Sequence, residues 1–215
     1  LSGRVGLVFI TADRGLCGGF NTNLNHHYSR FVRKHPESEI VTVCIGRKGR
    51  DFLRRKAIAP VREYVNVLSE VDFDRAMEMV RDLLRIRAEN RLDSIQLLYS
   101  RFRSAISQQI VLEQLAPLKP PEQQEQAMPR TYLFEPDAEG AAEAVLEQSL
   151  AIHLYRAMLE SMTSEHGARM TAMENATENA GEMIEKLTLS LNRARQAVIT
   201  KEISEIMGGA EALKS

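Results

Sequence analysis

The sequence predicts an α/β domain, a mixed sheet with flanking helices, followed by one long C-terminal helix. Strand-like apolar runs alternate with amphipathic helical segments as far as Leu84. Two further strand-like runs, divided by a short polar break, then close that section. From Ala138 to about Met207 there is no Pro, and Ala, Glu, Leu and Met dominate.

The opening run Arg4 to Thr11, RVGLVFIT, is continuously apolar and rich in β-branched residues, as suits a parallel strand buried on both faces. A Gly-rich turn, ADRGLCGG, leads into FNTNLNHHYSRFVRKH. There Phe20, Leu24, Tyr28, Phe31 and Val32 recur at helical spacing. The unit repeats with the strand Glu39 to Gly46 and the short basic helix RKGRDFLRRK. Ser69 with Asp72 reads as a capping box for a third helix, which carries Phe73, Ala76, Met77, Val80, Leu83 and Leu84 on one face. SIQLLYSRF and QQIVLEQLA are then two strands of a hairpin that turns around Arg103 to Ser107.

Residues 118–130, LKPPEQQEQAMPR, lack periodicity and read as an exposed connector, so the α/β domain is expected to occupy 1–136 and the long helix 137–215. At 1.5 Å per residue, about 70 helical residues would reach roughly 105 Å, so the helix is expected to project, from about residue 165. Its early part has two apolar faces, Val145, Ile152, Tyr155 and Leu159 on one and Leu146, Leu150, Leu154 and Met158 on the other, as expected against the sheet layer. Met158, Met162, Met170 and Met173 read as adaptable packing. Farther on a narrow seam appears: Met173, Ala176, Ala180, Met183, Leu187, Leu191, Ala194 and Val198 follow steps of three and four, interrupted once between Leu187 and Leu191. Such a seam calls for a partner helix.

Composition narrows the function. Among 215 residues, 44% are hydrophobic and 27% charged, which excludes intrinsic disorder, collagen and a disulfide scaffold. A net charge of -1 argues against nucleic acid as a partner, although the first sixty residues hold 11 basic and 4 acidic side chains. Two cysteines, Cys17 and Cys44, are too few for a zinc site or a disulfide framework, and no apolar run is long enough to span a membrane. Leu1 in place of an initiating Met reads as a processed form or a fragment. The loop from Asp13 to Gly19 sits where dinucleotide enzymes hold a pyrophosphate, which keeps open a nucleotide-binding or small-molecule enzyme with a Rossmann-like domain. It lacks both the G-x-G-x-x-G spacing and the P-loop lysine, so a structural turn is the preferred reading. Adjacent His26 and His27 point about 100 degrees apart on a helix and do not chelate one metal. The basic group from Arg47 to Lys56, opposed by Asp51, suits either an anionic surface or plain solvation. Nothing pairs a general base with a nucleophile, so no catalytic, cofactor-binding or metal-binding residue is assigned.

The segments GLVFITADRGLCGGFN, YSRFRSAISQQIVLEQLAP, YLFEPD and SEHGARMTAMENATENAGEMIEKLTLSLNRARQAVITKEISEI together closely resemble the gamma subunit of F-type ATP synthases. The resemblance covers nearly the whole chain. It implies a non-catalytic rotor of a proton-translocating synthase: an α/β domain seated on the membrane c-ring and on an epsilon subunit, and a long helix that pairs with an N-terminal helix as an axle inside the alpha and beta subunits. It implies ring contacts at Tyr132 and Glu135, and contacts with a beta-subunit loop at Arg195 and Gln196. It also implies a peripheral location on the cytoplasmic face of a bacterial membrane, or on the equivalent face in an organelle. The chain departs from the family pattern in entering its first strand within a few residues of Leu1, which reads as loss of the N-terminal axle helix. It departs also at Gly167, usually Ala, and at Asn175, usually small, and it lacks the dithiol insertion of photosynthetic members. The isolated chain is expected to self-associate through its seam.

Overall fold

A computed structural model describes residues 3–118 and 137–212. The elements in order are β1 (Arg4–Ile10), α1 (Phe20–Lys34), β2 (Glu39–Ile45), α2 (Arg47–Arg55), β3 (Arg62–Tyr64), α3 (Phe73–Glu89), β4 (Ser94–Phe102), β5 (Gln108–Ala116) and α4 (Ala138–Ala212). By its internal contacts the chain divides into Leu1–Thr171 and Ala172–Ser215.

In the first unit the strands form one mixed sheet in the order β3-β2-β1-β4-β5. β1 pairs in parallel with β2 and β4, β2 in parallel with β3, and β5 antiparallel with β4. Right-handed crossovers explain the layers. Moving outward from β1 through β2 to β3 places α1 and α2 on one face; crossing back to β4 places α3 on the other. Alternate residues of β1 supply the two cores. Val5, Leu7 and Phe9 pack with Phe20, Leu24 and Tyr28 of α1 and Leu53 of α2, whereas Val8 and Ile10 pack with α3 and with Leu150, Leu154 and Met158 of α4. Burial on both faces is what the unbroken apolar run required. β3 escapes the periodicity reading because three half-exposed edge residues carry no pattern.

Local details differ from expectation in four places. Ser69 makes no capping box: its hydroxyl donates to the Asn66 carbonyl at 3.1 Å, and Asp72 occupies the N-cap without a side-chain hydrogen bond. The buried face of α3 is Ala76, Met79, Val80, Leu83 and Ile86, leaving Phe73, Met77 and Leu84 at its margin. α4 buries one face rather than two in this unit, since Leu150, Ala151, Leu154, Ala157 and Met158 are covered while Val145, Leu146 and Ile152 are exposed. The methionine group divides likewise, with Met158 buried and Met170 and Met173 exposed. A sheet covers one side of a helix, so the second stripe is only partly met: Tyr155 packs edge-on against Phe73 of α3 at 5.8 Å and Leu159 is half-buried, while Val145 and Ile152 stay open.

Polar contacts hold α4 to the sheet. Glu113 on β5 accepts from Tyr99 Oη at 2.9 Å, Arg101 Nη2 at 2.9 Å and Arg156 Nη2 at 2.8 Å. Glu160 on α4 accepts from Arg101 Nε at 3.3 Å and lies 3.7 Å from Arg156. Two carboxylates and two guanidiniums thus form a closed set across β4, β5 and α4. Farther along, Ser164 Oγ donates to the Ser100 carbonyl at 3.0 Å. Gly167 sets the approach at the hairpin, because a Cβ there would lie 3.3 Å from both the Cα and the carbonyl oxygen of Ala105. The departure from Ala therefore relieves a tight contact, at a helix-propensity cost of about 1 kcal/mol.

The second unit is helical, and every residue from Met173 to Gly209 is exposed.

Candidate functional site

In an open α/β sheet a ligand ordinarily lies beyond the carboxyl ends of the strands at the point where strand order reverses, here between β1 and β4. That crevice is occupied by α4. Glu165 is buried and ion-paired with Arg169, and Arg169 Nη2 also donates to the Gly15 carbonyl at 3.4 Å. Thr171 Oγ1 donates to the Ala105 carbonyl at 3.3 Å. What is left is a cavity of about 270 Å³ lined by Asp13, Arg14, Ser69, Glu165, His166 and Arg169, among others. It falls below the usual range of about 300 to 1,000 Å³ for small-molecule sites.

The Gly-rich loop is a turn with internal partners. Ala12 N donates to Asn21 Oδ1 at 3.1 Å, and Phe20 N donates to the Cys17 carbonyl at 3.1 Å, so these amides do not face a phosphate. Asp13 Oδ1 accepts from the backbone N–H of Arg47 and of Asn66, both at 2.9 Å, and ties the loop to the ends of β2 and β3. Burial, with a smaller contribution from Glu165, pushes the Cys17 thiol up rather than down, against a role as an activated thiolate. Cys44 is pushed up to about 12, chiefly by burial. Gly46 and Gly49 are there for fit: a Cβ on Gly46 would sit 2.0 Å from the Thr11 carbonyl oxygen at φ +100°, and one on Gly49 would sit 2.7 Å from Thr11 Oγ1. The nucleotide-site alternative therefore lacks the room it needs, since Glu165 and Arg169 fill the crevice over the loop.

In the second unit the seam residues share one face of α4. Met173, Met183, Leu187, Leu191 and Val198 are exposed, Leu191 by 68%, and Ala176, Ala180 and Ala194 keep the line between them low. The unit also carries an apolar stripe that the heptad reading passes over. Ile199, Ile203 and Ile206, again four and three apart, are exposed and lie on a face turned about 100 degrees from the seam. The signal was present as the same spacing, restarted at a different angle. Arg195 and Gln196 are exposed beside the seam, and neither side chain has a hydrogen bond or ion pair among the described residues. Tyr132 and Glu135 lie outside the described residues.

The family model described as ATP synthase matches residues 2–213. Among curated relatives, the ATP synthase gamma chain of Moorella thermoacetica is 45% identical over 98% of this chain and 74% of its own length. That of Pelotomaculum thermopropionicum is 43% identical over the same shares.

The chain belongs to the ATP synthase gamma family.

Among solved structures, the mitochondrial ATP synthase central stalk and c-ring of Tetrahymena thermophila contains a chain similar to this one. It has 28% identity and a TM-score of 0.66, over 82% of this chain and 76% of that one. A chain of the Euglena gracilis mitochondrial ATP synthase shares the fold at a TM-score of 0.73, with 20% identity over 99% of this chain and 72% of that one. As a gamma-family member the chain is a non-catalytic rotor subunit of the central stalk, associated with other ATP synthase subunits. Among the described residues no helix is long and apolar enough to cross a membrane.

Proposed function

We propose that this gamma-family chain couples rotation of a proton-driven c-ring to the ATP sites of surrounding alpha and beta subunits, with the α/β domain seated on the ring and on an epsilon subunit. The observation that carries the mechanical part is the exposed seam from Met173 to Val198. Burying a large apolar side chain gains about 1.5 to 3 kcal/mol, so such a line on a helix is a surface awaiting a helix. Arg195 and Gln196 are the proposed contacts with the beta subunit, with side chains that have no partner to give up among the described residues. Tyr132 and Glu135 are the proposed contacts with the ring. On this reading the chain sits peripherally on the cytoplasmic face of a bacterial membrane or its organellar equivalent.

A charge-assisted contact of a guanidinium with a carboxylate, if desolvated, is worth a few kcal/mol, and an exposed one almost nothing. The test is ATP turnover of a reconstituted complex carrying Arg195→Ala with Gln196→Ala. Slowed turnover with intact assembly is expected; turnover equal to the parent complex removes these two residues from the coupling path. Tyr132→Ala with Glu135→Ala should weaken ring attachment and leave hydrolysis by the detached head in place.

A further inference from the structure

The helix layers on the two sides of the sheet differ in charge. α1 has Arg30, Arg33 and Lys34 and no acid, whereas α2, with Lys56 after it, has six cations against Asp51 alone. On the opposite face α3 carries four acids and four bases. Within the cationic layer Arg50 pairs with Asp51 and Arg54 with Glu63, but Arg30, Arg33, Lys34, Lys48, Arg55 and Lys56 have no ion pair among the described residues.

A groove of about 440 Å³ runs between these two helices. Its floor is apolar, made by Tyr28, Val32, Phe52 and Ile58, and His26, Arg33 and Lys56 stand at its rim. Tyr28 presents its ring rather than its hydroxyl, because its Oη is held to Thr42 Oγ1 at 2.8 Å. The floor is also braced: the Tyr28 ring packs against Phe9 in a tilted contact at 4.9 Å and meets Phe52 edge-on at 5.9 Å. Excess cationic charge and an aromatic groove are independent features, and they coincide.

We infer that the α1–α2 groove docks an acidic amphipathic polypeptide segment, with apolar side chains in the groove and carboxylates against Arg33, Lys56 and the flanking cations. Charge complementarity selects an acidic partner. A lipid surface fits less well, since membrane-bound faces push apolar side chains outward, and no large apolar residue of α1 or α2 is exposed. A small anion fits less well too, because the cations are exposed on the rim and none is buried facing inward. None of its residues belongs to the seam or to the contacts proposed with the ring and the beta subunit, and the test does not depend on them.

The test uses the full chain and a fluorescently labelled synthetic peptide of about five helical turns, with Leu on one face and Glu on the others. A second peptide has Ser in place of Leu, and vesicles of equal parts phosphatidylglycerol and phosphatidylcholine provide the lipid arm. Saturable binding of the Leu peptide is expected, weakened about tenfold or more by Arg33→Glu with Lys56→Glu and by raised salt. Both sites are exposed, so the variant should fold, and its near-ultraviolet circular dichroism checks this. Equal binding of the Ser peptide would reduce the surface to bulk charge and overturn the groove. Binding that survives the double reversal places the peptide elsewhere and overturns the proposal, as does tighter binding to vesicles, or no binding at all.

Discussion

Glu113→Gln removes one charge from the centre of the clasp that joins β4, β5 and α4 while keeping the shape of the side chain. In the parent, Glu113 faces Arg101 and Arg156 and accepts from the Tyr99 phenol. About a third of each of the Glu113 and Arg101 side chains remains exposed, so each ion pair is discounted to the upper part of the surface range, about 1 kcal/mol. An amide oxygen retains part of the hydrogen bonding, so the sum is about 2 kcal/mol. For a chain of this size that corresponds to a Tm lower by about 4 to 8 °C. The pH dependence has a definite sign. Burial by itself would raise the carboxyl, but the Tyr99 hydrogen bond and the two guanidiniums outweigh it and hold Glu113 below the usual carboxylate value. A folded-state depression stabilises above the unfolded value and is lost as pH falls through the folded one. The difference in Tm between parent and variant should therefore be full at neutral pH and shrink below about pH 4. The assay is thermal unfolding followed by near-ultraviolet circular dichroism of the tyrosines, which reports the packed domain and is blind to fraying of the exposed helix. Equal Tm at pH 7, or a difference that persists unchanged to pH 3, would refute this account of the clasp.

Gly46→Ala should be among the most damaging small substitutions, costing about 3 kcal/mol or more, because the new Cβ meets backbone at 2.0 Å in a left-handed conformation; a Tm within about 2 °C of the parent would contradict it. Cys17 and Cys44 are buried and both thiols are raised, so neither should react with a thiol reagent at pH 8 until denaturant is added, and rapid native labelling of Cys44 would refute the burial argument. The isolated chain should self-associate through its seam in sedimentation across a concentration series, antiparallel by complementarity of Glu178, Glu182 and Glu185 with Lys186, Arg193 and Arg195. Leu187→Glu with Leu191→Glu should return it to monomer; a parent that stays monomeric and fully helical at high concentration would refute it.

The sheet's parallel strands were legible because two-face burial leaves unbroken apolar runs, and the long helix because the loss of Pro, together with steps of three and four, has no other regular solution. The seam belongs to the same class, since its spacing is a property of neighbours along the chain. The closing section of the sequence also identified the family, through a long stretch on one helix rather than through the Gly-rich loop. What local pattern does not contain is which distant residues meet. Arg101, Glu113, Arg156 and Glu160 look like four ordinary surface charges in sequence, and only the seating of α4 on β4 and β5 makes them one set. The same seating gave Glu165 and Arg169 to the crevice beside Gly15, so that a loop with the look of a phosphate cradle is filled from a helix some 150 residues away. Strand order likewise decided that α1 and α2 share a face, which turned two separate basic segments into one cationic layer around an aromatic groove. Periodicity says which side of an element is apolar; only packing, which answers to volume and to the hand of the crossovers, says what lies against it.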